Sequence, residues 1–160
     1  MSERKAKPRQ VDVREEHDVW LAVGAVVAAA RELEIVEADR VRLETVISEM
    51  AHNVLLHGGG GFIVVESANE PGRCGLRIRA QDEGPGIRDI SLALQDGYTT
   101  SDTLGIGMGV TFRLMDDVAI RSYPEWGTIV IVTKWLGNGS AESTEQDAKE
   151  HKTATRKQFA

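Results

Sequence analysis

Cysteine is nearly missing from this 160-residue chain, which has only Cys74. No intrachain disulfide can form and no zinc site of paired thiolates can be built. That usage fits a reducing compartment, and the expected location is cytoplasmic. Long apolar runs are missing as well. The most apolar stretch, Val19 to Ala30, spans 12 residues, whereas a membrane span needs about 20. It lacks the terminal position and basic flank of a signal peptide, so no membrane partner is expected. Basic charge is in deficit: 19 Lys and Arg against 25 Asp and Glu leave a net charge of -6. No basic stripe stands out, which argues against a nucleic-acid partner. No internal repeat is present.

What remains suits one folded domain, with 41% hydrophobic residues to fill its core. Residues 1–10 are rich in Lys and Arg without apolar periodicity, and read as a flexible N-terminal arm. Residues 11–136 carry the periodic segments, and 137–160 form a small, polar and charged tail expected to be disordered.

Within the folded part, Val11 to Arg14 alternates as a short edge strand, and a helix is expected from Glu16 to Glu34. A second helix is expected from Glu37 to Leu56, because Leu43, Val46, Ile47, Met50 and Val54 fall on one stripe at 100° per residue. Glu49 and Asn53 lie one turn apart on the shoulder of that stripe. They are either a solvated surface pair or a carboxylate and an amide poised over a cleft. Strands follow at Gly61 to Glu66 and Cys74 to Gln81, turning through Asn69 to Arg73. A polar lid-like segment covers residues 88–104. It is followed by a short helix from Met108 to Asp116 and strands at Val118 to Tyr123 and Thr128 to Trp135. Trp20, Trp126 and Trp135 are expected in core or interface packing, and Cys74 as an inert strand residue.

Two glycine clusters frame the lid. Asp82, Gly84 and Gly86 end a strand; Gly105, Gly107 and Gly109 open a helix. Either is compatible with an ordinary turn. Glycines ahead of a helix also let backbone amides approach an anion such as a phosphate chain.

The order Glu49-x-x-x-Asn53, Asp82-x-Gly84-x-Gly86, Gly105-x-Gly107-x-Gly109 and Gly127-Thr128 resembles the GHKL, or Bergerat, histidine-kinase-like ATPase fold. Within it, the segments 47–53 (ISEMAHN), 82–87 (DEGPGI), 96–101 (DGYTTS), 113–116 (RLMD) and 134–136 (KWL) are similar to RsbT-type serine kinases, the switch proteins of stressosome modules. The likeness covers residues 11–136.

That resemblance implies a two-layer α/β sandwich: a mixed, mainly antiparallel sheet covered on one face by three helices, with ATP between the second helix, the lid and the sheet. It implies Asn53 as the ligand of Mg²⁺ and Glu49 as the catalytic base toward a serine hydroxyl. Asp82 would accept the adenine amino group, Gly84, Gly86 and Ile87 would line the base, and the Thr128 hydroxyl would support Asp82. Gly105, Gly107, Met108 and Gly109 would wrap the phosphates at a helix N-terminus. His57 fits two roles, beside the phosphates or as a histidine stabilised by a helix C-terminus. His52 stands where the family pattern has an arginine, and the second glycine cluster is one residue shorter than in that pattern.

The implied activity is phosphorylation of serine, and also threonine, on a STAS-domain stressosome scaffold or antagonist. Release would then let the kinase activate a PP2C-type phosphatase. The alternative is a non-catalytic, nucleotide-gated module that sequesters a sigma factor or regulator.

Overall fold

The computed structural model describes residues 5–87 and 108–137. The elements run β1 (Arg9–Val13), α1 (Glu16–Glu32), α2 (Glu37–Leu56), β2 (Gly61–Glu70), β3 (Arg73–Asp82), α3 (Met108–Leu114), β4 (Asp117–Tyr123) and β5 (Gly127–Trp135). The strands form one sheet in the order β1-β2-β3-β5-β4, and every described pairing is antiparallel. This is the expected α/β sandwich.

Alternation along the central strands decides which face is buried, because successive side chains point to opposite sides. Ile63 and Val65 on β2, Leu76, Ile78 and Ala80 on β3, and Val132 on β5 share the inner face and are buried. Against them lie Val19, Ala22, Val26, Ala29 and Ala30 of α1 and Leu43, Val46, Ile47, Met50 and Val54 of α2. The α2 residues are the stripe expected from the periodicity. The other face, with Phe62, Val64, Glu66, Arg77 and Arg79, is half-buried.

Several boundaries differ from expectation. β2 continues to Glu70 rather than Glu66, because Asn69 and Glu70 stay in register with Cys74 and Arg73 across a Pro71-Gly72 turn. Strand propensity alone underrates such polar residues; the cross-strand partner retains them. The N-terminal arm, expected to be flexible over residues 1–10, is docked from Lys5 onward. Ala6 is buried and its N–H donates to Ser67 Oγ at 2.7 Å. Beside it, Lys7 N–H and the Arg9 guanidinium both donate to Glu32 of α1. Of the two alternatives for the tryptophans, core or interface packing, the core is excluded for two of them. Trp20 is 72% and Trp126 82% exposed, whereas Trp135 lies under the Arg73 guanidinium at 3.9 Å. The lid at 88–104 lies outside the described residues. No described helix is long and apolar enough to cross a membrane.

Ile78, fully buried at the middle of the central strand, carries the first prediction. Ile78→Ala is expected to cost about 2–5 kcal/mol in urea denaturation. Val41→Ala, at an exposed position of α2, should change stability by less than about 0.5 kcal/mol. Equal losses would show that the inner face is misassigned.

Candidate functional site

The inner-face alternation of Leu76, Ile78 and Ala80 carries on to Asp82, so the strand that builds the core delivers a carboxylate to its helix-covered end. Gly61 of β2 is its register partner. The C-terminus of α2 meets it there. α2 is capped at His57, and Gly58 follows with its N–H on Asn53 O. A Cβ on Gly58 would overlap the Cβ and Cγ of Asp82. A Cβ on Gly84 would stand 2.7 Å from Gly58 Cα and 2.9 Å from His57 O. The helix end, the strand end and the turn after it are therefore packed backbone to backbone around one carboxylate.

Asp82 Oδ1 accepts the N–H of Gly84 at 2.9 Å and that of Thr128 at 3.3 Å. Its Oδ2 accepts none among the described residues. Burial pushes the Asp82 carboxyl up, while the two amide bonds and nearby His57 oppose that shift. One oxygen is thus anchored to the backbone and the other is left as an acceptor for an incoming donor. His57 lies close enough to act electrostatically on Asp82.

Thr128 differs from expectation. Its backbone N–H reaches Asp82, and its hydroxyl instead pairs with Ser122 Oγ at 3.0 Å. Ser122 Oγ in turn accepts the N–H of Ile87 at 2.7 Å, and Glu125 N–H reaches Pro85 O at 2.9 Å. The β4–β5 hairpin therefore clamps the 82–87 turn, within which Gly86 takes a φ of +76°. Neither Ser122 nor Gly58 was singled out from the sequence. Ser122 becomes identifiable only once the β4–β5 register sets it opposite Thr128.

On α2, Glu49 and Asn53 are both partly exposed beside the buried stripe. Neither side chain has a hydrogen-bond partner among the described residues. Burial raises the Glu49 carboxyl above its ordinary value, with His52 opposing. A desolvated, unpaired carboxylate is a competent proton acceptor. His52 itself is tied down, Nδ1 to Ser48 O at 2.8 Å and Nε2 to Glu16 at 3.3 Å.

Of the second glycine cluster, Gly105 and Gly107 lie outside the described residues. Met108 begins α3 and Gly109 is buried within it, with α3 packed beside α2. Among the described residues no group of three or more His, Cys, Asp or Glu could hold a metal. A cation at Asn53 would take its remaining oxygens from a bound anion and water.

Residues 12–134 match the model of the histidine kinase-like ATPase domain. The serine/threonine-protein kinase RsbT of Bacillus subtilis is 42% identical over 107 residues, covering 67% of this chain and 80% of the relative. An anti-sigma F factor of Bacillus licheniformis is 34% identical over 123 residues, covering 72% and 83%. Another, from Halalkalibacterium halodurans, is 33% identical over 128 residues, covering 76% and 84%.

The position of Asp82 makes a prediction for the protein without ligand. An acid whose folded pKa is raised adds stability only while protonated, so its contribution is lost as pH rises above the ordinary value of 3.8. Asp82→Asn can still accept both amide bonds, so it should be more stable than wild type at pH 7. The two should converge as pH falls toward 3.8. Thermal melts across that range check this, and a variant less stable at pH 7 contradicts it.

Proposed function

The chain belongs to the histidine kinase-like ATPase family, and from that premise we propose that it is an ATP-dependent serine/threonine protein kinase acting as a switch on protein partners. A relative named as a serine/threonine-protein kinase covers most of the chain. The observation that carries the reading is Glu49 beside Asn53: a partly desolvated carboxylate one helical turn before an amide, neither with a hydrogen-bond partner among the described residues.

In this reading Asp82 Oδ2 accepts a hydrogen bond from the exocyclic amine of adenine, a donor that guanine does not present there. Gly84, Gly86 and Ile87 pass along the base. Mg²⁺, held by the Asn53 carbonyl oxygen, would neutralise phosphate charge. His57, Gly105, Gly107, Met108 and Gly109 belong to the phosphate side. Glu49 takes the proton of the acceptor hydroxyl as its oxygen bonds to the γ-phosphorus, and the bond from that phosphorus to the β-phosphate oxygen breaks to leave ADP. The acceptor is a serine or threonine on a STAS-domain scaffold or antagonist, and the released kinase engages a PP2C-type phosphatase. The setting is cytoplasmic.

A second reading, a nucleotide-gated module that sequesters a regulator without catalysis, draws on the relatives named anti-sigma F factors. Glu49 separates the two, because sequestration needs no base.

Two measurements test this. Asp82→Asn should weaken ATP binding by roughly 1–3 kcal/mol in calorimetry; unchanged affinity would misplace the base. Glu49→Gln should keep ATP affinity and lower phosphoryl transfer to a cognate STAS partner by about 10²-fold or more. The wild-type transfer rate should fall as pH drops through the raised Glu49 pKa, which lies above 4.5. Equal transfer by wild type and Glu49→Gln would remove Glu49 from catalysis.

A further inference from the structure

Two segments that stand out in the sequence, 113–116 (RLMD) and 134–136 (KWL), take no part in the nucleotide site. They meet at the opposite end of the sheet. Lys134 lies two residues beyond buried Val132, on the core-facing side of β5, and its side chain is only 13% exposed. Its ammonium stands 3.0 Å from Asp116 Oδ1 and 3.6 Å from Asp39 Oδ1. Asp116 is itself fixed to β5: its N–H donates to Thr133 O at 3.1 Å, and its Oδ2 accepts the N–H of Trp135 at 2.7 Å. Asp39 belongs to the first turn of α2, where the Arg42 guanidinium donates to it at 2.7 Å. One cation thus joins the start of α2 to the end of β5.

β5 is thereby tied to α2 at both ends. At one end Thr128 N–H holds Asp82, which packs against Gly58; at the other Lys134 faces Asp39. Between these points α2 rests on apolar side chains. Such contacts choose the buried face but are non-directional and resist a change of tilt weakly, whereas hydrogen-bonded charges have a defined geometry.

We infer that Lys134 and Asp39 are positioning residues for Glu49, pinning the start of α2 and so setting where Glu49 stands over the site. Glu49 lies roughly midway between Asp39 and the Gly58–Asp82 contact, so a swing about that contact carries it about half as far as Asp39. A misplacement of about 1 Å can cost about 10²-fold in rate. Asp82 sits at the pivot and stays in place. The inference rests on the reading of Glu49 as the base.

After Lys134→Met each carboxylate keeps a donor, Arg42 for Asp39 and the Trp135 N–H for Asp116, so the variant is expected to fold. Asp39→Asn cuts only the α2 side of the brace. Spin-label distances on the ligand-free chain, in a Cys74→Ser background, test the geometry. With one label at exposed Ala119 of β4 and the other at Val41, near the start of α2, Lys134→Met should shift or widen the distance distribution. With the second label at Leu56, near the end of α2, it should not. An unchanged Val41–Ala119 distance overturns the inference, as does an equal change in both pairs.

Single-turnover transfer from MgATP to a STAS-domain acceptor tests the consequence. Lys134→Met and Asp39→Asn should each slow transfer by about 10-fold or more while ATP affinity changes by less than about 3-fold, and neither should slow Glu49→Gln further. A further loss in the Glu49→Gln background overturns the action through Glu49. Equal transfer by wild type and Glu49→Gln would instead remove the reading of Glu49 as base, and the distances would still decide whether the brace sets the tilt of α2.

Discussion

Asp82 sits against the end of α2 only because Gly58 has no side chain. Three pieces of backbone from distant parts of the chain meet at this carboxylate: the helix end at His57-Gly58, the turn at Gly84, and the start of β5 at Thr128. Close approach lets main-chain N–H groups hold one carboxylate oxygen while the other is left to accept from outside. A β-carbon at Gly58 would overlap the Asp82 side chain and force the helix end away from the sheet. The spacing between Asp82 and the Glu49–Asn53 turn would then change as well. The Asp82 carboxylate and the polar pair on α2 are thus placed by one contact.

The same helix links the site to the core. α2 buries Leu43, Val46, Ile47, Met50 and Val54, and these residues fix its rotation over the sheet. Once that rotation is set, Glu49 and Asn53 come out at the edge of the buried stripe, where Glu49 is partly desolvated and has no hydrogen-bond partner among the described residues. Packing that stabilises the domain also leaves the Glu49 carboxyl partly desolvated, with its pKa raised. The cost is a helix shoulder carrying polar groups that no described residue pairs.

Much of the architecture was legible locally. Leu43 to Val54 recur at helical spacing, Leu76 to Ala80 alternate, and both patterns follow from where apolar side chains must point. The site was legible in pieces, because Asp82, Gly84 and Gly86 come at the end of an alternating strand and Glu49 and Asn53 share a helix face. What escaped was of another kind. Gly58 reads as one of four glycines that end a helix, and Ser122 as one more hydroxyl in a strand. The docking of Ala6 depends on Ser67, sixty-one residues away, which no local pattern reports. The Thr128 hydroxyl turned to Ser122 because their strands pair in register, which only the sheet decides.

Periodicity by itself determined most of the elements and the buried stripe of α2, which are short-range consequences of side-chain chemistry repeating at 3.6 or 2 residues. The layer arrangement and the candidate site residues came instead from the order of the motifs and its resemblance to a known fold. The tertiary structure alone decided which oxygen of Asp82 is anchored, that Gly58 rather than a longer side chain lies beneath it, and that Trp20 faces outward. Each of these turns on two segments far apart in the chain approaching within a few ångströms, and that approach is fixed by how the whole core packs.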